Sequence, residues 1–232
     1  IIQTQKQSLW HHQRNKLYSK ADWHRCASLL WLQSMTKTGN LDELMKVVGL
    51  THSFQQIRRR IYATGEDRME NDAEHSFQLA FVAWYIIDKQ NLGLDKSKAL
   101  EYALCHDIVE VFAGDMFFHR TAEEEKKKVD LEKAATETLA QKYADFPSLV
   151  STLRAYEEKA DPESKFIYAL DKLLPIFNIL LDEGRSWQTN DVSLEKLYEG
   201  KHKKIAEDPI VLEYFVLIVE VLRSNPTLFI KK

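Results

Sequence analysis

Glycine and proline are scarce along this chain, seven and five residues among 232, less than half of the roughly 28 that a share of about 12% would bring. Sandwiches and barrels use these residues at nearly every reversal, so the scarcity directs the chain to an all-α fold. Apolar spacing agrees. Leu41, Leu44, Met45 and Val48 begin a helical rhythm after Gly39, and Val211, Leu212, Phe215, Ile218, Val219 and Leu222 carry it near the end. That second stripe reads first as core and second as a subunit contact, from which a homodimer is expected. Helices are expected over 53–62, 72–90, 95–112, 122–143, 147–158, 162–183, 192–207 and 209–223. Asn71 or Asp72 and Asp95 serve as caps, and Pro147, Pro162 and Pro209 fall where a first-turn residue loses no hydrogen bond.

An apolar share of 44%, with charges of both signs interspersed, suits one sizeable core and excludes a largely disordered chain. Residues 1–34, rich in Gln, His and Trp, are expected to be an N-terminal extension, with Met35 a native start and residues 35–232 the body. The longest apolar runs, Phe81 to Ile87 and Leu173 to Leu181, fall short of the roughly 20 residues of a membrane span. No membrane partner is expected. Gln3 to Ser8 is polar with no compact apolar signal core behind it, and Cys26 and Cys105 offer neither a disulfide framework nor a CxxC knuckle. The cytoplasm is the expected compartment.

With 32 basic and 35 acidic residues the net charge is −3, which disfavours nucleic-acid coating, since that affinity comes from many cations displacing phosphate counterions. The tight basic clusters are Arg58-Arg59-Arg60 and Lys201-His202-Lys203-Lys204, the latter expected to be a solvated helix face. Glu123 to Lys128 pairs opposite charges four residues apart and is likewise a solvated face.

Four short segments carry chemistry: Glu74-His75 near a helix start, His106-Asp107 followed by Glu110, Gly114-Asp115, and Asp171 within Ala169-Leu170-Asp171. Each alone has an ordinary structural explanation. Their surroundings change that. Leu100, Ala103, Leu104, Cys105, Ile108 and Val109 make the His106 segment apolar almost all round, and Phe166 to Leu174 does the same for Asp171. Buried carboxylates and imidazoles are costly unless paired or bound to a metal, and one shared divalent cation satisfies all of them. Two imidazoles with two carboxylates suit Mn, Fe, Co, Ni or Zn better than Ca or Mg.

These residues resemble the HD-domain metal-dependent phosphohydrolases, defined by a His, a His-Asp pair and a distant Asp. The similarity is strongest to the HD-domain 5′-nucleotidases acting on deoxyribonucleoside 5′-monophosphates. It rests on Glu70-Asn71-Asp72-Ala73-Glu74-His75-Ser76, on His106-Asp107-Ile108-Val109-Glu110-Val111 with Gly114-Asp115, and on Ala169-Leu170-Asp171, over residues 44–185. The resemblance implies an HD-domain helical bundle with extra flanking helices. It implies His75, His106, Asp107 and Asp171 as ligands of one divalent transition metal. Glu110 and Asp115 would form the catalytic set, Glu110 beside the water that the ion activates and Asp115 near the sugar, where it also binds substrate. Arg60, fifteen residues before His75, would hold the phosphate, with Arg68 supporting the loop. Ile61 departs from the pattern, for the bacterial nucleotidases carry a tryptophan there, so the resemblance implies no sugar preference.

The implied reaction is hydrolysis of (deoxy)ribonucleoside 5′-monophosphates to nucleoside and phosphate. An alarmone hydrolase would carry an acidic pair where this chain has Glu110-Val111, and binuclear HD enzymes need histidines between the His-Asp pair and the last Asp, where only His119 lies. A non-catalytic nucleotide- or protein-binding HD module is the alternative of a different class.

Overall fold

The structure, a computed structural model, describes residues 41–114 and 122–230, with residues 122–128 described by backbone alone. The chain divides into two compact units, residues 1–47 and 48–232. The expected boundary between residues 34 and 35, and the side chains of the Glu123 to Lys128 run, lie outside the described residues. Helix α1 (Leu41–Phe54) leads to a hairpin of β1 (Arg58–Tyr62) and β2 (Met69–Asn71), then α2 (Asp72–Gln90), α3 (Lys96–Cys105) and the single turn α4 (Glu110–Ala113). After them come α5 (Ala122–Lys142), α6 (Pro147–Glu158), α7 (Pro162–Leu181), α8 (Arg185–Thr189), α9 (Leu194–Ile205), α10 (Pro209–Arg223) and a 3₁₀ turn at Pro226–Phe229. The all-α class holds, with one small hairpin added.

That hairpin replaces the expected helix over 53–62. α1 stops at Phe54, and Arg58–Tyr62 pairs antiparallel with Met69–Asn71, Arg58 opposite Asn71 and Tyr62 opposite Met69, with an irregularity between. The reason lies in the arginines. Successive side chains of a strand point to opposite faces, so Arg58 and Arg60 remain exposed while Arg59 turns inward. Ile61 and Tyr62, β-branched and aromatic, suit that backbone.

The expected continuous helix over 95–112 is also broken. Between α3 and α4 the chain tightens: Ile108 N–H donates to Cys105 C=O (3.0 Å), and Glu110 N–H to Asp107 C=O (2.9 Å). Such three-residue steps turn more sharply than an α-helix, and the break falls on the His-Asp pair.

Caps fix where helices begin. The Asn71 side chain accepts from Glu74 N–H (3.0 Å), while the Glu74 carboxylate accepts from Asn71 N–H (3.1 Å), a reciprocal capping box. Asp95, Asp161, Ser193 and Asp208 cap α3, α7, α9 and α10, and the three prolines stand in first turns as expected. α7 is the central helix. Its Phe166, Ile167, Leu170 and Leu173 are buried with Leu79 of α2, Tyr102 of α3, Trp187 of α8 and Phe215 of α10. Val211, Phe215, Ile218, Val219 and Leu222 all face this core, which is where the stripe on α10 is used. A second cluster joins Leu50 and Phe54 to Leu139 and Leu153. Among the described residues no helix is long and apolar enough to cross a membrane.

The turn into α8 packs closely on the 3₁₀ turn at Pro226–Phe229. Gly184 has φ +79°, and a Cβ there would lie 2.1 Å from the Leu228 carbonyl oxygen, against which Gln188 also donates. Gly184→Ala should therefore destabilise the protein by about 2 kcal/mol or more, lowering its melting temperature by roughly 4–8 °C. Gly93→Ala, which meets open space, should leave it unchanged in the same thermal melt.

Candidate metal centre and its cavity

The capping box sets the start of α2, and His75 follows in its first turn, fully buried. The break after α3 presents His106 and Asp107. α7 supplies Asp171 from mid-helix, and Pro175, four residues on, has no N–H for the Asp171 carbonyl. One ligand atom from each of His75, His106, Asp107 and Asp171 lies within 4.8 Å of the others. His75 Nε2 is 3.0 Å from Asp171 Oδ1, and His106 Nε2 is 3.0 Å from Asp107 Oδ2 and 3.8 Å from Asp171 Oδ1.

The donor chemistry of this cluster fits a cation. His106 Nδ1 donates to the Ala103 carbonyl at 3.0 Å, so in neutral imidazole the lone pair on Nε2 faces a carboxylate, and that buried nitrogen makes no hydrogen bond. A positive charge between them resolves the repulsion. Burial depresses the His106 pKa, but the Asp107 and Asp171 carboxylates together outweigh it and the net shift is upward. A proton is thus drawn to the place a metal would take. Burial, then the Arg59 charge, push His75 down to about 4, which keeps it neutral, the form that binds metal. Burial alone would raise Asp107 and Asp171. The charge of His106 on the first, and of Lys172 on the second, hold both well below the usual carboxylate range.

Two fixed cations orient the carboxylates. Arg59 Nη1 lies 2.9 Å from Asp107 Oδ2 and 3.2 Å from Asp72 Oδ1, and its Nε is 3.4 Å from Glu70 Oε2. Burial would lower the Arg59 pKa, and these carboxylates together with Asp171 raise it instead. Lys172 Nζ pairs with Asp171 Oδ2, leaving Oδ1 toward the histidines.

Of the other expected residues, Glu110 is buried in the wall of the same cavity, and Arg60 lines that cavity from the outer face of β1. Arg68 is held elsewhere, in a two-pronged pair with Glu74 (2.9 and 2.7 Å) and on Glu66 (2.7 Å), tying the hairpin loop to the start of α2. Asp115 lies outside the described residues. Ile61 packs on the core and borders the cavity. Sequence reasoning missed Arg59 by treating the triplet as helix, whereas strand alternation turns every second arginine inward. It also missed Lys201, which is buried. Its signal was position: Leu197, Lys201 and Ile205 recur every four residues on the buried face of α9.

The cavity has a volume of about 740 Å³ and is bounded by β1, the His106–Glu110 turn, α5, α6, α7 and α9. His106, Asp107 and Asp171 form part of its wall, and so do the cations Arg60, Lys133, Arg154, Lys172, Lys201 and Lys204. A family model for the HD domain matches residues 53–211, from the end of α1 into α10. The chain belongs to the HD-domain family.

Among HD-domain relatives, 5′-deoxynucleotidase HDDC2 of Xenopus laevis is 29% identical over 177 residues, covering 74% of this chain and 83% of that protein. Two solved structures share the fold. One is a predicted metal-dependent phosphohydrolase from Magnetospirillum magnetotacticum MS-1 (TM-score 0.69, 24% identity, 83% of this chain and 98% of that one). The other is the PH0347 protein of Pyrococcus horikoshii OT3 (TM-score 0.54, 22% identity, 79% and 98%). The family together with the His/Asp cluster makes this chain a metal-binding HD phosphohydrolase.

The inward and outward arginines of this HD domain should separate cleanly. Arg59→Met removes the counter-charge of Asp107, Asp72 and Glu70 and should cost about 3 kcal/mol in urea unfolding, while Arg60→Met on the exposed face should shift stability by under about 0.5 kcal/mol.

Glu70 yields a pH test. Burial pushes its carboxyl from 4.5 up to about 7, with Arg59 pulling the other way. Between those values the folded protein holds a proton that the unfolded chain has shed, so this group's stabilisation is complete below about pH 4.5 and is lost as pH rises through about 7. Glu70→Gln should flatten that decline in urea unfolding measured from about pH 5 to about pH 8.

Proposed function

We propose that this HD phosphohydrolase is a 5′-nucleotidase, converting (deoxy)ribonucleoside 5′-monophosphates to nucleoside and inorganic phosphate. One observation carries the reading: a cavity of about 740 Å³ whose wall combines His106, Asp107 and Asp171 of the His/Asp cluster with several cationic side chains. That volume falls in the range of small-molecule sites, about 300–1,000 Å³, and the cations suit a phosphate dianion. The similarity to a protein named as a 5′-deoxynucleotidase supports it.

In this reading His75, His106, Asp107 and Asp171 hold one divalent transition ion, Mn, Fe, Co, Ni or Zn. When bound, such an ion supplies a Lewis acid and lowers the pKa of a coordinated water toward about 7. The chain's own groups do the rest. Arg59 and Lys172 keep the Asp107 and Asp171 carboxylates turned toward the histidines. Arg60 offers a forked guanidinium to the phosphate oxygens. Glu110, at the cavity wall, moves the proton of the reaction, either from the attacking water or to the departing sugar oxygen. The resemblance to the HD-domain nucleotidases assigns Asp115 to the sugar. Ile61 leaves room where related enzymes have an indole, so ribose and deoxyribose substrates are both tested.

The experiment is phosphate release from ribo- and deoxyribonucleoside 5′-monophosphates after Mn or Co loading, beside a 3′-monophosphate, a generic phosphomonoester and an alarmone. Release confined to 5′-monophosphates and abolished by chelation is expected; silence across the panel in metal-loaded protein would sink the reading. Glu110→Ala should retain the metal while kcat falls by about 10²–10⁴, whereas Asp107→Ala should lose both metal and turnover by elemental analysis and assay. An empty Glu110→Ala protein would make Glu110 a ligand instead.

A further inference from the structure

The α10 stripe that offered a subunit contact faces the core instead, while α2 turns an apolar face outward. Between Glu74 and Asp88 this helix carries no acidic or basic residue apart from the buried His75. Each exposed position in that stretch holds an aromatic side chain: Phe77, Phe81, Trp84 and Tyr85 keep 68%, 60%, 48% and 59% of their surface. Their spacing sets all four on one side of the helix. The rings follow one another, with centroids 6.1 Å apart from Phe77 to Phe81 and 6.3 Å apart from Phe81 to Trp84. A surface helix ordinarily presents charged residues to water, and here the charges stand only at the two ends of the face. Arg68 pairs with Glu74 at one end (2.7 Å) and Lys96 with Asp88 at the other (2.9 Å), where the Trp84 indole N–H also donates to Asp88 (2.7 Å). Leu104, exposed and two turns after Lys96, lies on the same side of α3 as that lysine. An aromatic centre with a polar rim is the anatomy of a protein interface.

We propose that this face of α2 is a contact with a second copy of the chain, the two α2 helices packing antiparallel about a two-fold axis beside Phe81. In such a contact each residue near the axis meets its own kind, so a charge there would face its like. The centre of the face is free of charge, and each end carries both signs already paired. Phe77 and Tyr85 stand equally far from Phe81 on either side, so antiparallel packing sets the Phe77 end of each copy on the Tyr85 end of the other, ring against ring. Four aromatic side chains exposed to this degree present about 500 Å², which with the rim approaches the roughly 800 Å² that each partner gives to a stable interface. A lipid surface fits less well, because interfacial helices flank their aromatics with Lys and Arg, whereas α2 has Lys89 beside Asp72, Glu74 and Asp88. A second exposed apolar run, Val216, Leu217 and Val221 on α10, alternates with Glu213, Glu220 and Arg223 and has no charge-free centre.

The test is sedimentation velocity of the full chain and of its Phe81→Glu and Val216→Glu variants at micromolar concentration, with helix content checked by circular dichroism. The unmodified chain should sediment at twice its own mass. Phe81→Glu brings two like charges together at the axis and should weaken the dimer at least a hundredfold with its helix content retained, while Val216→Glu should sediment as the unmodified chain does. A short bismaleimide should join Phe81→Cys into a covalent dimer to a far greater extent than it joins the unmodified chain or Val216→Cys, since only a residue beside the axis lies next to itself.

A monomeric unmodified chain overturns the proposal, whether another segment of the chain or a different protein then covers the face. A dimer that survives Phe81→Glu, or that Val216→Glu dissociates, overturns it as well by putting the contact elsewhere. If Phe81→Glu does not fold, the cross-linking decides: equal yields from Phe81→Cys and Val216→Cys overturn the two-fold contact on α2.

Discussion

The structure depends on keeping carboxylates inside a helical core. Asp171 stands in the middle of α7, surrounded by Phe166, Ile167, Leu170 and Leu174, and an isolated charge there would neutralise or drive the helix apart. It does neither because each oxygen has an assignment: Oδ2 pairs with Lys172, and Oδ1 faces His75 and His106. Asp107 meets the same problem at a more open point, with Arg59 and His106 sharing Oδ2. Two fixed cations therefore do the structural part of the neutralisation and leave the inward atoms available to an exchangeable one.

That constraint explains the departures from plain helical packing. A helix carrying Arg58, Arg59 and Arg60 would spread them over about 200° and commit none to the interior. The strand sends Arg59 alone inward, and its partners Glu70 and Asp72 come from the hairpin's second strand and the first residue of α2. The break after Cys105 works similarly. Three-residue steps over 105–110 bring His106 Nε2 and Asp107 Oδ2 to 3.0 Å, closer than adjacent residues on a regular helix would aim them. Pro175 adds a third interruption, freeing the carbonyl of Asp171 itself.

Helices, caps and the four-residue cluster were legible in the sequence because they rest on local rules: apolar spacing, Asn and Asp before a first turn, and polar residues set in apolar runs. What escaped was decided at long range. Nothing near Arg58–Tyr62 distinguishes a basic helix from a strand; the choice depends on Asp107, forty-eight residues away. Lys201 escaped for a different reason. The run Lys201-His202-Lys203-Lys204 looks like a charged surface, and only the register with Leu197 and Ile205 reveals the buried face. A charge that breaks a helix's apolar register is thus more informative than one in a charged run, since the fold must have a use for it.

The two kinds of buried cation then differ in what they do for the molecule. Arg59 and Lys172 sit against carboxylates, so removing either leaves a buried negative charge and weakens the fold. Lys201 is buried on α9 at the wall it shares with Asp171, and burial followed by the Lys172 charge brings its pKa down to about 7. Removing Arg59 or Lys172 would therefore disturb the fold and the ligand geometry together, because the same pairs that neutralise Asp107 and Asp171 also fix the oxygens that face the histidines.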